Sequence, residues 1–385
     1  MRECRRLILG LCCFIAAVTG GRAQADGAPE LHGFASQGLV HTTDNQVHGN
    51  STAGSLDFRE LGLGGSWRPR ANWLLAAQVL SRQDGEAANG EPVLDYALVD
   101  FMPLPQLPCH PGLSLGRIRN PFGLYNDSRD VAFSRPGISL PQTVYLDKVR
   151  DLFLSMDGVQ LHTDHRLGDH GLQVQLNLGK EHFDDDTARI MLGNAFAGSA
   201  DSDGITWVGR LLYDWHHQLQ LGLSAGRGFF TYDAPRLGLS QAEGDARLWL
   251  LSAQYHAEQW TLTAEYVQQE VEAAGVMPFF SVDTLSPEGW YVQGDYRFTP
   301  RWEAFLRYED GRADRHFRDR LGDSPVFYTR GWVTGLRWDP HPQWMLRLEY
   351  GLYDGGFILS NLDNQDPAAV VQRWNIFSAL LAFRF

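Results

Sequence analysis

The sequence predicts an all-β fold, a transmembrane antiparallel β-barrel of about sixteen strands, and three observations carry that prediction. Segments in which every second residue is apolar recur along the whole chain. The connections between them alternate between short turns and long polar stretches. The chain itself ends on such a segment, and its last residue is Phe385.

At the other end, Arg2, Arg5 and Arg6 precede an apolar run from Leu7 to Val18, and Ala23-Gln24-Ala25 places small residues where a signal peptidase reads. Residues 1–25 therefore read as an export signal cut before Asp26, with 26–385 as one barrel domain. Cys4, Cys12 and Cys13 leave with the signal, so the mature chain keeps only Cys109 and forms no internal disulfide. A lipoprotein is disfavoured because Leu11 stands where a small residue would precede Cys12. Beyond the signal no apolar stretch approaches the roughly 18 to 20 residues of a membrane helix. Mean hydropathy is -0.28, yet the chain carries 12 Trp, 13 Tyr and 21 Phe. That combination suits a barrel with aromatic girdles at two interfaces.

In chain order the strands are expected at Gly33–His41, Phe58–Trp67, Ala71–Ser81, Pro92–Phe101, Leu113–Arg119, Ser155–Thr163, Gly171–Glu181 and Asp203–Tyr213. They continue at His217–Arg227, Arg247–His256, Gln259–Gln269, Gly289–Phe298, Arg301–Glu309, Arg330–Trp338, Gln343–Tyr353 and Trp374–Phe385. The alternation is clearest late in the chain. Trp302, Ala304, Leu306 and Tyr308 oppose Glu303, Phe305 and Arg307, and Trp344, Leu346, Leu348 and Tyr350 oppose Met345, Arg347 and Glu349. One face suits lipid and the other water, with Phe305 and Met345 the large apolar residues expected inside. Turns such as Arg68-Pro69-Arg70, Asp214-Trp215-His216, Thr299-Pro300 and Asp339-Pro340-His341-Pro342 alternate with long loops at 182–202, 228–246, 270–288, 310–329 and 354–373. An even strand count then puts both termini on one side.

The final strand carries Phe377, Ala379, Leu381, Phe383 and Phe385 on one face. A strand of this kind at a terminus resembles the last strand of bacterial outer-membrane barrels. The resemblance implies that Phe385 and Phe383 are an assembly signal for the barrel-assembly machinery, with lipid and lipopolysaccharide of the outer membrane as surroundings.

The longest connection, 120–154, mixes Phe122, Leu124, Tyr125, Phe133, Ile138, Leu140, Val144 and Tyr145 with charges, so it needs an apolar surface to pack on. Arg117, Arg119, Arg129, Arg135, Lys148 and Arg150 stand beside Asp127, Asp130 and Asp147. Strand parity turns Arg210, Arg297, Arg307, Arg337, Arg347 and Arg384 inward against Glu265, Asp295, Glu303 and Glu349. This arrangement is similar to that of porins, whose third outer loop folds inward and narrows the pore. The resemblance implies a constriction built by the first set of charges, a pore wall built by the second, and a homotrimer.

The formal net charge of -13 is expected to reside largely in the outer loops, with Asp184, Asp185, Asp186, Asp201, Glu272, Asp283, Glu288, Asp363 and Asp366 at an acidic mouth. A narrow arginine-rich constriction outweighs it, because charges in a low dielectric are weakly screened. Passive diffusion of small hydrophilic solutes, anions favoured, is the expected function. The alternatives are a channel selective for a specific anion or oligosaccharide, and a barrel enzyme, for which no serine motif stands out. A receptor with a plug domain is disfavoured, since only Asp26 to His32 precede the first strand. No cofactor, catalytic residue, metal or nucleic acid is expected; His162, His165, His170, His216, His217, His110 and His341 fall at strand ends and turns.

Overall fold

A computed structural model describes residues 27–104, 106–182, 189, 198–233, 242–274, 284–315 and 324–385. The wall strands are β1 (Glu30–Thr42), β2 (Phe58–Arg70), β3 (Trp73–Asp84), β4 (Ala88–Phe101), β5 (Gly112–Arg119), β6 (Ser155–Leu167), β7 (His170–Glu181) and β8 (Thr206–Trp215). They continue as β9 (Leu219–Asp233), β10 (Ala242–His256), β11 (Trp260–Ala274), β12 (Glu288–Thr299), β13 (Trp302–Arg312), β14 (Tyr328–His341), β15 (Trp344–Gly355) and β16 (Arg373–Arg384). Two short segments, Ser199–Ser202 on β9 and Thr284–Leu285 on β11, prolong β8 and β12 upward. Each wall strand pairs antiparallel with the next, and β16 pairs with β1, so the sixteen-stranded barrel is closed and has no free edge.

Every expected strand is present, but the strands above the long loops reach further than their alternation suggests. β9 runs on to Asp233 and β10 starts at Ala242, where the sequence reads as loop from 228 to 246. The added stretches, Gly-Phe-Phe-Thr-Tyr-Asp at 228–233 and Ala-Glu-Gly-Asp-Ala at 242–246, do not keep large apolar residues to every second position and so carry no period-2 signal, although the hydrogen-bond ladder continues. Proline-containing turns also ride within strand ladders: register shifts occur between Trp67 and Arg70 and between Trp338 and His341.

The period-2 pattern sorts the wall into two faces. Leu306 is 53% exposed, whereas Arg307 on the next position is 1% exposed. Outside, aromatic residues gather in two bands. On β13, Trp302 stacks on Trp338 of β14 with ring centroids 5.5 Å apart, and Tyr308 meets Trp332 at 4.8 Å and Trp290 at 5.5 Å. Six residues of strand separate the bands, about 20 Å along the strand and about 15 Å in height at the tilt of barrel strands, which lies within a barrel's apolar belt.

Inside, the barrel is packed. Leu250, Leu380, Val267 and Val333 are buried together with Phe305 and Met345. Inward apolar residues are therefore more numerous than the clearest strands suggest, because weakly alternating strands hide them.

The first and last outer loops are laced together. Asn45 Nδ2 donates to Val371 O at 2.8 Å and Val371 N donates to Asn45 Oδ1 at 2.8 Å, while Asn364 and Gln46 make a second reciprocal pair. Asp363 accepts from the Glu86 and Gly49 amides, and Asp366 caps a short turn through the Ala368 amide. These two acids serve loop structure as acceptors rather than standing free. Asp184, Asp185, Asp186 and Asp283, and the signal 1–25, lie outside the described residues.

Candidate functional site

The segment 120–154 leaves β5 and returns to β6 without adding a strand. Pro121, Pro136 and Pro141 remove ladder donors, and only short turns form, at Asn126–Ser128, Asp147–Val149 and Asp151–Leu154. Its two ends are tied to each other: Asn126 Nδ2 donates to Asn120 O at 2.9 Å and to Phe153 O at 3.0 Å.

The apolar residues of the segment meet inward-facing residues of the wall in two clusters. Ala132, Phe133 and Ile138 pack with Val40, Phe58, Met345, Leu380 and Ala382. Phe122, Leu140, Val144 and Tyr145 pack with Leu248, Leu250, Val267 and Tyr291. Space for the segment is cut by a glycine pair, Gly289 opposite Gly311 on adjacent strands. A Cβ on Gly289 would stand 1.9 Å from Thr143 O, so the main chain of the segment occupies the volume a side chain would fill.

Polar anchoring follows the same contacts. Glu265 on β11 accepts from Tyr145 Oη at 2.7 Å, Tyr291 Oη at 2.8 Å, Ser252 Oγ at 2.6 Å and the Leu124 amide at 3.1 Å. Thr143 N donates to Glu309, and Ile138 N donates to Glu349. Arg347 donates to Arg135 O at 2.7 Å, Gln293 to Pro136 O at 3.1 Å, and Arg337 to Phe133 O at 3.3 Å. Arg384 lies over the Phe133 ring at 4.3 Å.

Most charges of the segment are paired. Asp130 takes Arg150 at 2.5 Å and Arg119 at 2.6 Å; although burial opposes it, these two guanidinium groups hold its carboxyl far below the usual range. Arg129 contacts Asp147 at 2.8 Å and Arg210 reaches Asp127 at 2.5 Å. Arg135 is bidentate on Glu60, at 2.9 and 2.7 Å. Arg307 lies 3.5 Å from Glu309, and Arg297 pairs with Glu303 at 2.5 Å near the turns. Arg117 stands apart from this group: it grips Asp157 across the strand pair. That is the face of Leu115 and Leu161, both about half exposed, as two-residue alternation from Leu115 to Arg117 requires, so Arg117 takes no part in a constriction. In Arg347, Nε and Nη1 are buried without a partner.

Three features went unread in the sequence. Glu60 was legible in principle, since exposed Leu61 and Leu63 turn it inward. His48, with a φ of 55°, stacks on Phe58 at 4.3 Å and contacts Asp84, which also holds Arg82; no local pattern announces it. Asp95, buried against Arg119, lies at a register shift that breaks the alternation. The histidines at strand ends pair singly, His162 with Asp100 and His170 with Tyr213, and among the described residues no group of three metal-ligating side chains converges.

Lys148 fastens the segment to the last outer loop, with Nζ donating to Phe357 O and lying 4.7 Å from the Phe357 ring centroid. Burial pushes its ammonium down to about 8. A lysine lowered on folding binds fewer protons than when released, so this seat tightens as pH rises from about 8 toward the ordinary lysine range. Limited proteolysis of the segment between pH 7 and 11 is expected to slow over that window in the native chain and stay flat in Lys148→Met; a flat native profile would show that the amine is not the group that titrates.

No protein-family model and no curated protein sequence matches the chain. Solved structures do match in fold. An anion-selective porin from Comamonas acidovorans superposes with TM-score 0.60 at 12% identity, covering 94% of this chain and 100% of that one. OmpT of Vibrio cholerae, an outer-membrane protein in a trimer form, gives 0.59 at 11%, covering 94% and 100%. The outer-membrane channel DcaP of Acinetobacter baumannii gives 0.55 at 12%, covering 96% and 100%. The fold is that of porin-like outer-membrane barrels.

Proposed function

We propose that this porin-like barrel is an outer-membrane channel for small hydrophilic solutes, exported by its N-terminal signal, inserted by the barrel-assembly machinery and assembled as a homotrimer. The segment 120–154 folds into the lumen and sets what passes. The observation that carries this reading is the set of partners of that segment. Glu60, Arg210, Glu265, Gln293, Arg307 and Glu349 come from β2, β8, β11, β12, β13 and β15, and only a segment lying within the barrel reaches the inner faces of strands so far apart around it. The trimer form of the Vibrio protein supports the oligomeric state.

Selectivity follows from which charges are left over. Ion pairs cancel most of the field, because an arginine on a carboxylate presents no net charge to a passing ion. Arg347 retains two unpartnered donors; Arg337, opposite it in the adjacent strand, is held by Asp339. Small anions are therefore favoured over cations. Swelling of liposomes in sugars, phosphates and amino acids tests passage. In planar bilayers the R337Q/R347Q variant should shift the reversal potential in a salt gradient toward cations, and an unchanged potential would show that these arginines do not filter ions.

A further inference from the structure

We infer that the channel is closed in this conformation, and that a solute passes only when the strap from Val131 to Pro141 lifts away from the wall. This rests on the proposed placement of the 120–154 segment in the lumen. An open pore needs some arc of wall whose inward side chains face water at every level. Here Glu60, Leu80, Asn177, Leu250, Arg307 and Leu380, on β2, β3, β7, β10, β13 and β16, are each 0 to 2% exposed. They are spread around the circumference, so no side of the wall faces water along its whole height. A loop lining one side of a wide barrel would leave the opposite arc exposed.

The strap is also the part of the segment built to move. Its root is tied by Asp130 between two arginines, by Asn126 on both ends, and by Tyr145 on Glu265. The strap makes no strand ladder. Its wall contacts are the apolar residues Ala132, Phe133 and Ile138, side-chain bonds to its own main chain from Arg347, Gln293, Arg337, Arg307 and Glu349, and the bidentate Arg135–Glu60 pair. These contacts form between side chains and a single stretch of backbone, so they release together and leave the barrel ladder intact. Glu60 is the lock. Removing its charge leaves the Arg135 guanidinium buried without a counterion, which costs far more than the pair itself contributes.

The test uses the full-length barrel, purified from outer membranes and reconstituted in planar bilayers, with heat-modifiable migration checked for each variant. The native channel should be mostly closed. Replacement of 131–141 by a short Gly-Ser linker should conduct steadily, and Glu60→Gln should raise time-averaged conductance by about tenfold or more, the least that follows from losing more than about 1.4 kcal/mol of docking. If Glu60→Gln fails to assemble, Ile138→Ser, which loosens only the strap, reads the same quantity. Steady native conductance equal to that of the linker variant would overturn the closed state while leaving the channel reading intact. Folded native and linker barrels that both stay silent would overturn the channel reading and this inference with it. A conducting linker variant with both point variants held at the native level would show that the strap does not open as a unit, and would overturn the proposed device.

Discussion

Deleting Phe385, or replacing it with Lys, should leave export intact but abolish assembly, with unfolded chain accumulating and being degraded before it reaches the outer membrane. The residue does two jobs at the closing seam. Its amide donates to Gly33 O at 3.0 Å and its carbonyl accepts from Gly33 N at 3.3 Å, so it completes the last pair between β16 and β1. Its ring lies over Gly33 so closely that a Cβ there would be 2.6 Å away, so a side chain at that position would push the ring aside. Phe383 continues the apolar face, packing on Trp344 at 4.8 Å. A barrel has no edge only if this seam closes, and an open edge within a bilayer leaves backbone groups unpaired at several kcal/mol each. Cell fractionation and the gel shift of heat-modifiable barrels measure the outcome. Native amounts of shifted barrel after the deletion would remove Phe385 from any role in assembly.

Arginine at Leu306 or Leu348 should destabilise the barrel by about 2 to 4 kcal/mol near the midplane of the bilayer. Both leucines sit on the exposed outer face, at 53% and 38%, between the two aromatic bands, where the proposed setting supplies only acyl chains. The matching control is Glu303→Arg. Glu303 holds only the largely exposed Arg297, and a wet lumen end tolerates the change. Parity alone makes Glu349 an equally good control, yet it is buried and accepts the Ile138 amide, so Arg there should cost as much as the lipid-facing change. Denaturant unfolding of detergent-folded barrels, followed by tryptophan fluorescence, gives the free energies. Equal stability of L306R and the native barrel would mean that Leu306 does not face lipid.

Strands, faces and turns were legible because each rests on neighbours a few residues apart. Leu306 against Arg307 and Leu348 against Glu349 follow from the pleat alone, and the Thr299-Pro300 turn follows from the missing donor of proline. The mixed character of 120–154 was legible for the same reason, since apolar residues in a long connection must find cover. Where the pleat is interrupted, local reading fails: the register shift between Gln78 and Val79 hides Asp95, whereas the outer face of Arg117 follows from Leu115 two residues before it.

By itself, then, the sequence determined a chain of strands with an apolar outer face, a terminal strand fit to close, and one connection that could not be an ordinary loop. The partner of each charge was decided only in the tertiary structure. Arg135 meets Glu60 across 75 residues, Ile138 meets Glu349 across 211, and Tyr145 meets Glu265 across 120. Such pairs are set by barrel closure, which brings distant inner faces within hydrogen-bond reach. A two-residue period tells which way a side chain points, but carries no information about what stands opposite.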